Sequence, residues 1–351
     1  MTSIIIGCYN VAPWLREKRL MDIRQQSDAN IEIILVDDGS TDDTPVLLQT
    51  LAEEDSRIHI ITKENGGLGS ARNAGLEAAR GEYVWFYDVD DEAEPHLVEK
   101  NVEWMTTHHT ELNIFSFKAT TPAQHLTEDV IFEEQLVESN EALHDIFLDK
   151  LFFVRYGNGF AWNKFYNRCF LENHGIRFGN QRIQQDELFN LQIYPLAQRV
   201  YISSEPLYHY FIYEHGNARS RYIPHRYAIY RSIFEGIRHF SEKWSLQDSR
   251  LEDYMHRRLY DGISQTILFN TFHPDSPLDK KGKKGEIMQI LHDPSAKKCI
   301  HYIAQQQPRS LEQRLYLKAY QNESFNAICW LRQIFGLLRN IKKQMNRVIH
   351  E

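Results

Sequence analysis

The sequence predicts an α/β fold: a mostly parallel sheet flanked by helices, followed by a helical C-terminal region. Three features of the chain point there. Short runs of β-branched and aromatic residues alternate with helix-patterned segments through the first hundred residues, as strand–helix units require. Several of those runs end in clusters of Asp, Asn or Gly, at the strand ends where open parallel sheets bind their ligands. From about residue 224 the strand-like runs stop, and the chain becomes mostly helical in pattern and rich in Tyr, Arg and His.

Taken in order, Ile4-Ile5-Ile6 is a short strand, and the segment from Pro13 to about Gln26 reads as a helix. Ile31 to Val36 is a second strand, ending at Asp37-Asp38-Gly39-Ser40. Thr41 or Asp42 can cap the helix that follows, with Leu47, Leu48 and Leu51 on its apolar face. Ile58 to Ile61 is a third strand, Gly66-Gly67 a loop, and Gly69 to Ala79 a helix of small residues that can pack closely. Tyr83 to Tyr87 is the fourth strand. Tyr9-Asn10, Asp37-Asp38, Asn65-Gly66-Gly67 and Asp88 to Asp91 then all fall at carboxyl ends of strands and should share one crevice. Further on, Asn113 to Phe117 is a strand and Ser139 to Asp149 a capped helix. Val200 to Ile202 and Leu207 to Tyr213 are strands bracketing Pro206, and Pro274 to Pro277 opens a loop into Lys280, Lys281, Lys283 and Lys284.

Composition narrows the class. The 351 residues suggest two or three packed units, with 42% hydrophobic and 25% charged residues, ordinary for a globular protein. A net charge of −8 argues against nucleic acid as a partner of the whole surface. Cys8, Cys169, Cys299 and Cys329 are scattered without a CxxC pair, which fits a reducing cytoplasm and speaks against zinc or a disulfide framework. The N-terminus lacks the basic and apolar regions of a signal peptide, and no apolar run approaches the ~18–20 residues that cross a bilayer. The expected location is the cytoplasm, at most peripheral on the cytoplasmic face of the inner membrane.

The chemistry concentrates in Asp88-Val89-Asp90-Asp91, directly after the fourth strand. Two unit charges ~4 Å apart repel by about 1 kcal/mol in water and about 4 kcal/mol at an effective dielectric of 20. Such a cluster is held either as a solvated, helix-capping turn or by a hard divalent cation that bridges carboxylates to phosphates.

Tyr9-Asn10, Val36 to Asp42, Glu64 to Gly67, Ala71 to Gly75, Gly81-Glu82-Tyr83 and Asp88 to Asp91 occur in that order. As a set they resemble the nucleotide-binding half of bacterial family 2 glycosyltransferases of the GT-A fold, over roughly residues 3–105. Trp162-Asn163-Lys164, Gln185-Asp186-Glu187-Leu188-Phe189 and Glu205-Pro206-Leu207-Tyr208 continue the likeness. The resemblance implies a nucleotide-binding half over 1–110 and an acceptor-binding half over 111–220, followed by a helical region over 221–324 and an amphipathic basic helix over 325–351. It also implies a UDP-sugar donor with Mn²⁺ or Mg²⁺.

On that basis Tyr9 lies against the base or packs under its loop, and Asp38 accepts the uracil imide N–H or belongs to a helix-capping turn. Asn65 and Gly66 are among the nucleotide-binding residues, with Gly66 and Gly67 letting the backbone approach the nucleotide or making a tight turn. Arg72 reaches the uracil or a phosphate, or is a solvated helix charge. Asp90 is the direct metal ligand, with Asp88 on the ribose or a metal-bound water, and Asp91 contacts the diphosphate–metal group or the sugar. Asp186 matches the family's catalytic base, which takes the acceptor's proton in a single inverting displacement. Gln185 stands where family members usually carry Glu, and Glu187 is the rival base. Trp162 walls the acceptor site or is core, while Lys164 meets a phosphate. His209 and His215 contact a metal or diphosphate, or are bland surface or core residues.

In 325–351, Ile328, Leu331, Ile334, Phe335, Leu338, Ile341, Met345 and Val348 recur at helical spacing among Arg332, Arg339, Lys342, Lys343 and Arg347. That pattern suits an anionic membrane surface, a helix docked on its own domain, or a dimer. The function expected is an inverting, metal-dependent glycosyltransferase moving sugar from a UDP-sugar to a glycan or lipid-linked acceptor, in capsule or lipopolysaccharide synthesis. A nucleotidyl- or sugar-phosphate transferase and a catalytically dead glycan-binding scaffold are the alternatives.

Overall fold

A computed structural model describes residues 1–17, 20–154, 159–181, 183–213, 222–306 and 310–350, with side chains to residue 339. The chain divides into two compact units, Met1–Ala218 and Arg219–Glu351.

The first unit is built on one ten-stranded sheet. Its strands are β1 (Thr2–Cys8), β2 (Ile31–Asp37), β3 (Ile58–Thr62), β4 (Tyr83–Tyr87), β5 (Glu92–Ala93), β6 (Leu112–Thr121), β7 (Leu126–Val130), β8 (Gln135–Val137), β9 (Lys164–Asn167) and β10 (Val200–Phe211). The order is β3-β2-β1-β4-β9-β6-β10-β5, with β7 on β6 and β8 on β10. Strands β3, β2, β1 and β4 are parallel, as the strand–helix alternation predicts. Beyond them the sheet is mixed: β9 runs antiparallel to both β4 and β6, and β6 is parallel to β10.

Ile4, Ile5, Ile6, Leu35, Val36 and Val84 to Tyr87 are fully buried, because a parallel sheet is covered on both faces. The helix Leu68–Ala78 lies on β1 through Gly75, where an added Cβ would come within 2.3 Å of Ile5 Cγ2. That close approach is what the small residues of this helix permit.

The elements depart from the sequence reading in instructive places. The segment Pro13 to Gln26 forms two short helices, Ala12–Arg16 and Met21–Arg24. The side chains of Asp22 and Gln26 are drawn into tertiary bonds, from Ala93 N and Tyr87 Oη to Asp22 and between Gln26 and Glu94 O and Val98 N. The next helix starts at Thr44 and lacks a side-chain cap. Asp42 instead accepts from Ala12 N and Thr44 N, stitching the β1 loop to this one. The two strands expected around Pro206 are one, β10, with its register against β6 shifting on either side of the proline. Proline has no N–H for the ladder, so the strand bulges past it. Ser139 does cap its helix, Asn140–Ile146, by accepting from Ala142 N.

The second unit is helical: Arg226–Lys243, Ser249–Gln265, Lys280–His292, Pro294–Gln305, Leu311–Gln321 and Phe325–His350. Asp248, Asp279, Asp293 and Ser310 cap four of these helices, so the lysine-rich stretch after Pro277 opens a helix at Asp279. Ile237, Leu251, Leu259, Ile263, Ile287, Cys299 and Ile328 form its core. Among the described residues no helix is long and apolar enough to cross a membrane.

Candidate active site

The carboxyl ends of β1, β2 and β3 carry three loops that are tied together by side chains. Asn10, in a left-handed conformation after β1, accepts from Thr41 N at 2.8 Å, while its own N–H donates to Ser40 Oγ at 3.0 Å. Asp38 N donates to Cys8 O, and Asp37 Oδ1 accepts from Ser40 N. Tyr9 stands beside this junction with 48% of its surface exposed, a free aromatic face for a planar partner.

Asp38 is placed differently from the expectation. Its carboxylate is buried, Oδ1 accepting from Gly66 N at 2.9 Å and Lys63 Nζ at 2.8 Å and Oδ2 from Gly67 N at 2.7 Å. Asn65 Nδ2 donates to Asp38 O. The residue pins the Asn65-Gly66-Gly67 loop to the end of β2, and most of its acceptor capacity is spent on that loop. Lys63, which the sequence reading did not single out, is the counter-charge. Gly66 is exposed, and a Cβ there would collide with Ser70 Oγ at 2.6 Å.

The centre of the site is Arg72, which is neither a solvated charge nor free to reach a base. It is fully buried. One terminal nitrogen lies 2.6 Å from Asp88 Oδ1 and the other 2.6 Å from Asp186 Oδ1. Its guanidinium carbon lies 5.4 Å from the Phe178 ring centre and 5.9 Å from that of Phe86. The two carboxylates that the sequence reading assigned to separate chemical centres, one on the nucleotide side and one on the acceptor side, therefore sit on two prongs of a single cation. Burial opposes the charge on Arg72, and the two carboxylates more than restore it, holding its pKa above the ordinary value. Burial pushes the Asp88 carboxyl up against the pull of Arg72.

Asp186 lies in the first turn of the helix Gln185–Ile193, where the helix N-terminus favours a negative charge. Among the described residues its Oδ1 is committed to Arg72, whereas Oδ2 accepts a longer 3.2 Å bond from Ala161 N. Gln185 and Glu187 flank it and are both buried.

The acidic turn after β4 splits into two roles. Asp88 keeps about a quarter of its side chain exposed (24%) and Asp90 is half-buried. Asp91, expected at the diphosphate, is buried instead, with Oδ2 accepting from Tyr208 Oη at 2.8 Å and Oδ1 from Phe211 N at 2.9 Å. Burial, with the charges of Asp90 and Asp88 added, pushes its carboxyl well above the usual range. It anchors β10 to the turn. Among the described residues no cluster of three His, Cys, Asp or Glu side chains is placed to hold a metal.

The remaining expectations resolve into structure. Trp162 is core, stacked on Tyr208 with ring centres 4.5 Å apart at 10°. Lys164 is fully buried, its Nζ donating to Phe160 O at 2.6 Å and Asn163 Oδ1 at 2.9 Å, so it is not available to a solvent-borne phosphate. Burial pulls its pKa down to about 7, and the nearby Asp186 charge resists. His209 Nε2 is 2.8 Å from Glu94 Oε1. His215 lies outside the described residues.

Residues 3–175 match the family model for glycosyl transferase family 2. They form a family 2 glycosyltransferase domain. EpsH of Bacillus subtilis, named as a glycosyltransferase, is 35% identical over 214 residues, covering 60% of this chain and 60% of EpsH. EpsJ of the same organism, also named as a glycosyltransferase, is 28% identical over 329 residues, covering 90% of this chain and 91% of EpsJ. The chain thus spans under two thirds of EpsH and nearly all of EpsJ. Among solved structures, TarS of Staphylococcus aureus in complex with UDP-GlcNAc shares the fold at a TM-score of 0.57 and 18% identity, covering 96% of this chain and 91% of that one. The glycosyltransferase fold is that of the mixed sheet described above.

Two consequences of this geometry can be measured. Arg72→Met leaves two carboxylates without their buried counter-charge and is expected to destabilise the protein by about 3–5 kcal/mol. Urea denaturation showing a loss below about 1 kcal/mol would mean that Arg72 does not hold the pair. The second concerns Lys164. Between pH of about 7 and the unfolded-state value of about 10.4 the unfolded chain holds a proton that folded Lys164 has released, so stability rises with pH across that window. Lys164→Met should flatten the rise between about pH 7 and pH 9 in denaturation series, and equal slopes for the two proteins would refute the depressed pKa.

Proposed function

We propose that the protein transfers a sugar from a UDP-sugar to a hydroxyl of a glycan or lipid-linked acceptor, with inversion at the anomeric carbon, in the assembly of surface polysaccharide. The observation that carries this reading is the pairing of Asp88 and Asp186 on one guanidinium. It brings Asp186, from the second half of the domain, beside the acidic turn of the first, which supports reading Asp186 as the base.

Asp186 Oδ2 is the basic oxygen in this reading, because Oδ1 is taken by Arg72 while Oδ2 accepts the longer bond from Ala161 N. It removes the acceptor's proton as the acceptor oxygen attacks, while UDP departs from the opposite face. Tyr9 offers its exposed ring to the base, and the Gly66-Gly67 loop, braced by Asp38, offers backbone to the nucleotide. Asp90 and Asp88 would hold a divalent cation. Their donor set fits Mg²⁺ or Mn²⁺, which are commonly bound through one or two carboxylates plus substrate phosphates. That ion would offset the charge developing on the departing diphosphate. UDP-N-acetylglucosamine is the first donor to test, since the structural neighbour TarS is seen with it.

The test is UDP release from a panel of UDP-sugars, with Mn²⁺ and with chelator. Asp186→Asn should slow transfer by roughly 10²–10⁴-fold while UDP affinity stays near wild type. A mild Asp186→Asn beside a damaging Glu187→Gln would move the base by one residue. Asp90→Ala should remove both the metal dependence of UDP binding, read by calorimetry, and most turnover. UDP binding that is equal in chelator and Mn²⁺ would overturn the metal assignment.

A further inference from the structure

The carboxylate of Asp186 is held at both oxygens. Arg72 fixes Oδ1 at 2.6 Å, and Ala161 N donates to Oδ2 at 3.2 Å. The second donor belongs to the peptide between Phe160 and Ala161, and that peptide is itself gripped from behind. A trans peptide is planar and points its C=O and N–H in opposite directions, so whatever holds Phe160 O aims the N–H of Ala161. Two side chains hold it, Lys164 Nζ donating at 2.6 Å and Asn190 Nδ2 at 2.9 Å.

Both grips follow from the local fold. Asn190 comes four residues after Asp186 in the helix Gln185–Ile193, so the two share a face about 6 Å apart along the axis. The peptide therefore spans one turn of that helix, with its N–H on the carboxylate and its C=O on the amide of the next turn. A carbonyl only accepts, so it is Nδ2 of Asn190 that faces Phe160 O, and Tyr166 Oη donates to Oδ1 on the other side at 3.1 Å. Lys164 opens β9 and bends back over its own turn, which is closed by Lys164 N donating to Ala161 O at 3.2 Å.

Ala161, Lys164, Tyr166 and Asn190 are all fully buried. An apolar side chain would fill the place of Lys164 without the cost of burying an amine. Among the described residues its Nζ donates to two neutral oxygens, Phe160 O and Asn163 Oδ1, rather than to a carboxylate. The charge that Lys164 senses most is that of Asp186, on the far side of the same peptide. Hydrogen bonds linked through an amide polarise one another, so donors on its C=O strengthen its N–H as a donor.

We propose that Lys164 and Asn190 are positioning residues: through the Phe160–Ala161 peptide they fix the plane of the Asp186 carboxylate, so that Oδ2 keeps a lone pair in one set direction for the acceptor hydroxyl. This rests on the reading of Asp186 as the base. In that step the hydroxyl proton passes to Oδ2 and the acceptor oxygen bonds to the anomeric carbon. The bond from that carbon to the diphosphate oxygen breaks, and its electron pair leaves on UDP.

Phe160–Ala161 is the one Phe-Ala pair in the sequence. The full chain labelled with carbonyl-¹³C phenylalanine and ¹⁵N alanine therefore gives a single carbonyl–amide NMR signal, which needs no substrate. Lys164→Met should move its carbonyl carbon and its amide proton upfield, and Asp186→Asn should shift the amide proton. In UDP release from UDP-N-acetylglucosamine with Mn²⁺ and water as acceptor, Lys164→Met should lower kcat roughly 10–100-fold, the cost of misplacing a catalytic group, with KM near wild type. Asn190→Leu should act in the same direction, and it carries both measurements if Lys164→Met does not fold. In an Asp186→Asn background Lys164→Met should change kcat by less than about twofold, because the group it positions is gone. A role in packing alone would lower kcat in both backgrounds alike. A signal unmoved by Lys164→Met in folded protein, or losses that multiply in the double variant, overturns the proposal and leaves Asp186 as the base. A mild Asp186→Asn overturns both together.

Discussion

A guanidinium with no access to water constrains everything around it. Arg72 is carried into the first unit by the helix Leu68–Ala78, and a buried charge of that kind is tolerated only if its partners are fixed and charged. Asp88 is delivered by the end of β4 and Asp186 by the start of a helix more than a hundred residues away in sequence. The three segments cannot drift independently without leaving one charge unpaired. Phe86 and Phe178 close the space around the cation, so the arrangement is held by aromatic walls as well as by ion pairs. The resulting rigidity is what a transferase needs, since attacking base and departing diphosphate must stay aligned on one anomeric carbon.

The same logic separates the carboxylates proposed for the chemistry from those that hold the frame. Asp38, Asp88, Asp90, Asp91 and Asp186 all follow apolar runs or open a helix, and by motif all five are ligand candidates. Asp38 and Asp91 turn inward. Each is buried, and each accepts backbone N–H groups from a distant loop or strand, as buried carboxylates do when they organise a turn. Asp88, Asp90 and Asp186 keep part of their surface toward solvent. Two carboxylates in the acidic turn suit a cation whose remaining ligands come from the substrate.

How much of this was legible in the sequence follows from range. Apolar runs, acidic strand ends and the Ser139 cap are local features, and they appear where expected. The four parallel strands do too, because burial on both faces leaves a continuous apolar run that needs no partner to be seen. Strand β9 was missed because it is four residues long and opens with Lys164, whose charge reads as exposed until its partners at Phe160 and Asn163 are known. The inward turn of Asp38 and Asp91 depends on Lys63, Gly66 and Gly67 in one case and Tyr208 and Phe211 in the other, 25 to 120 residues away. No pattern within a few residues of either Asp carries that information. Arg72 is the extreme case, for only its two distant carboxylates distinguish a buried clamp from an exposed helix charge.

The C-terminal helix shows the limit of amphipathicity as a signal. The apolar and basic positions of 325–351 suit a membrane surface, a docked helix or a dimer alike, and an interfacial helix would keep one apolar face against one basic face. In the structure the apolar residues divide into two stripes, and Arg332 and Arg339 go with the inner one, over Phe272 and beside Glu312. Long basic side chains can serve this purpose because their stems lie along apolar surface while their heads find carbonyls and carboxylates. Among the described residues of this helix, the large apolar side chains left outward are Trp330, Leu337 and Leu338.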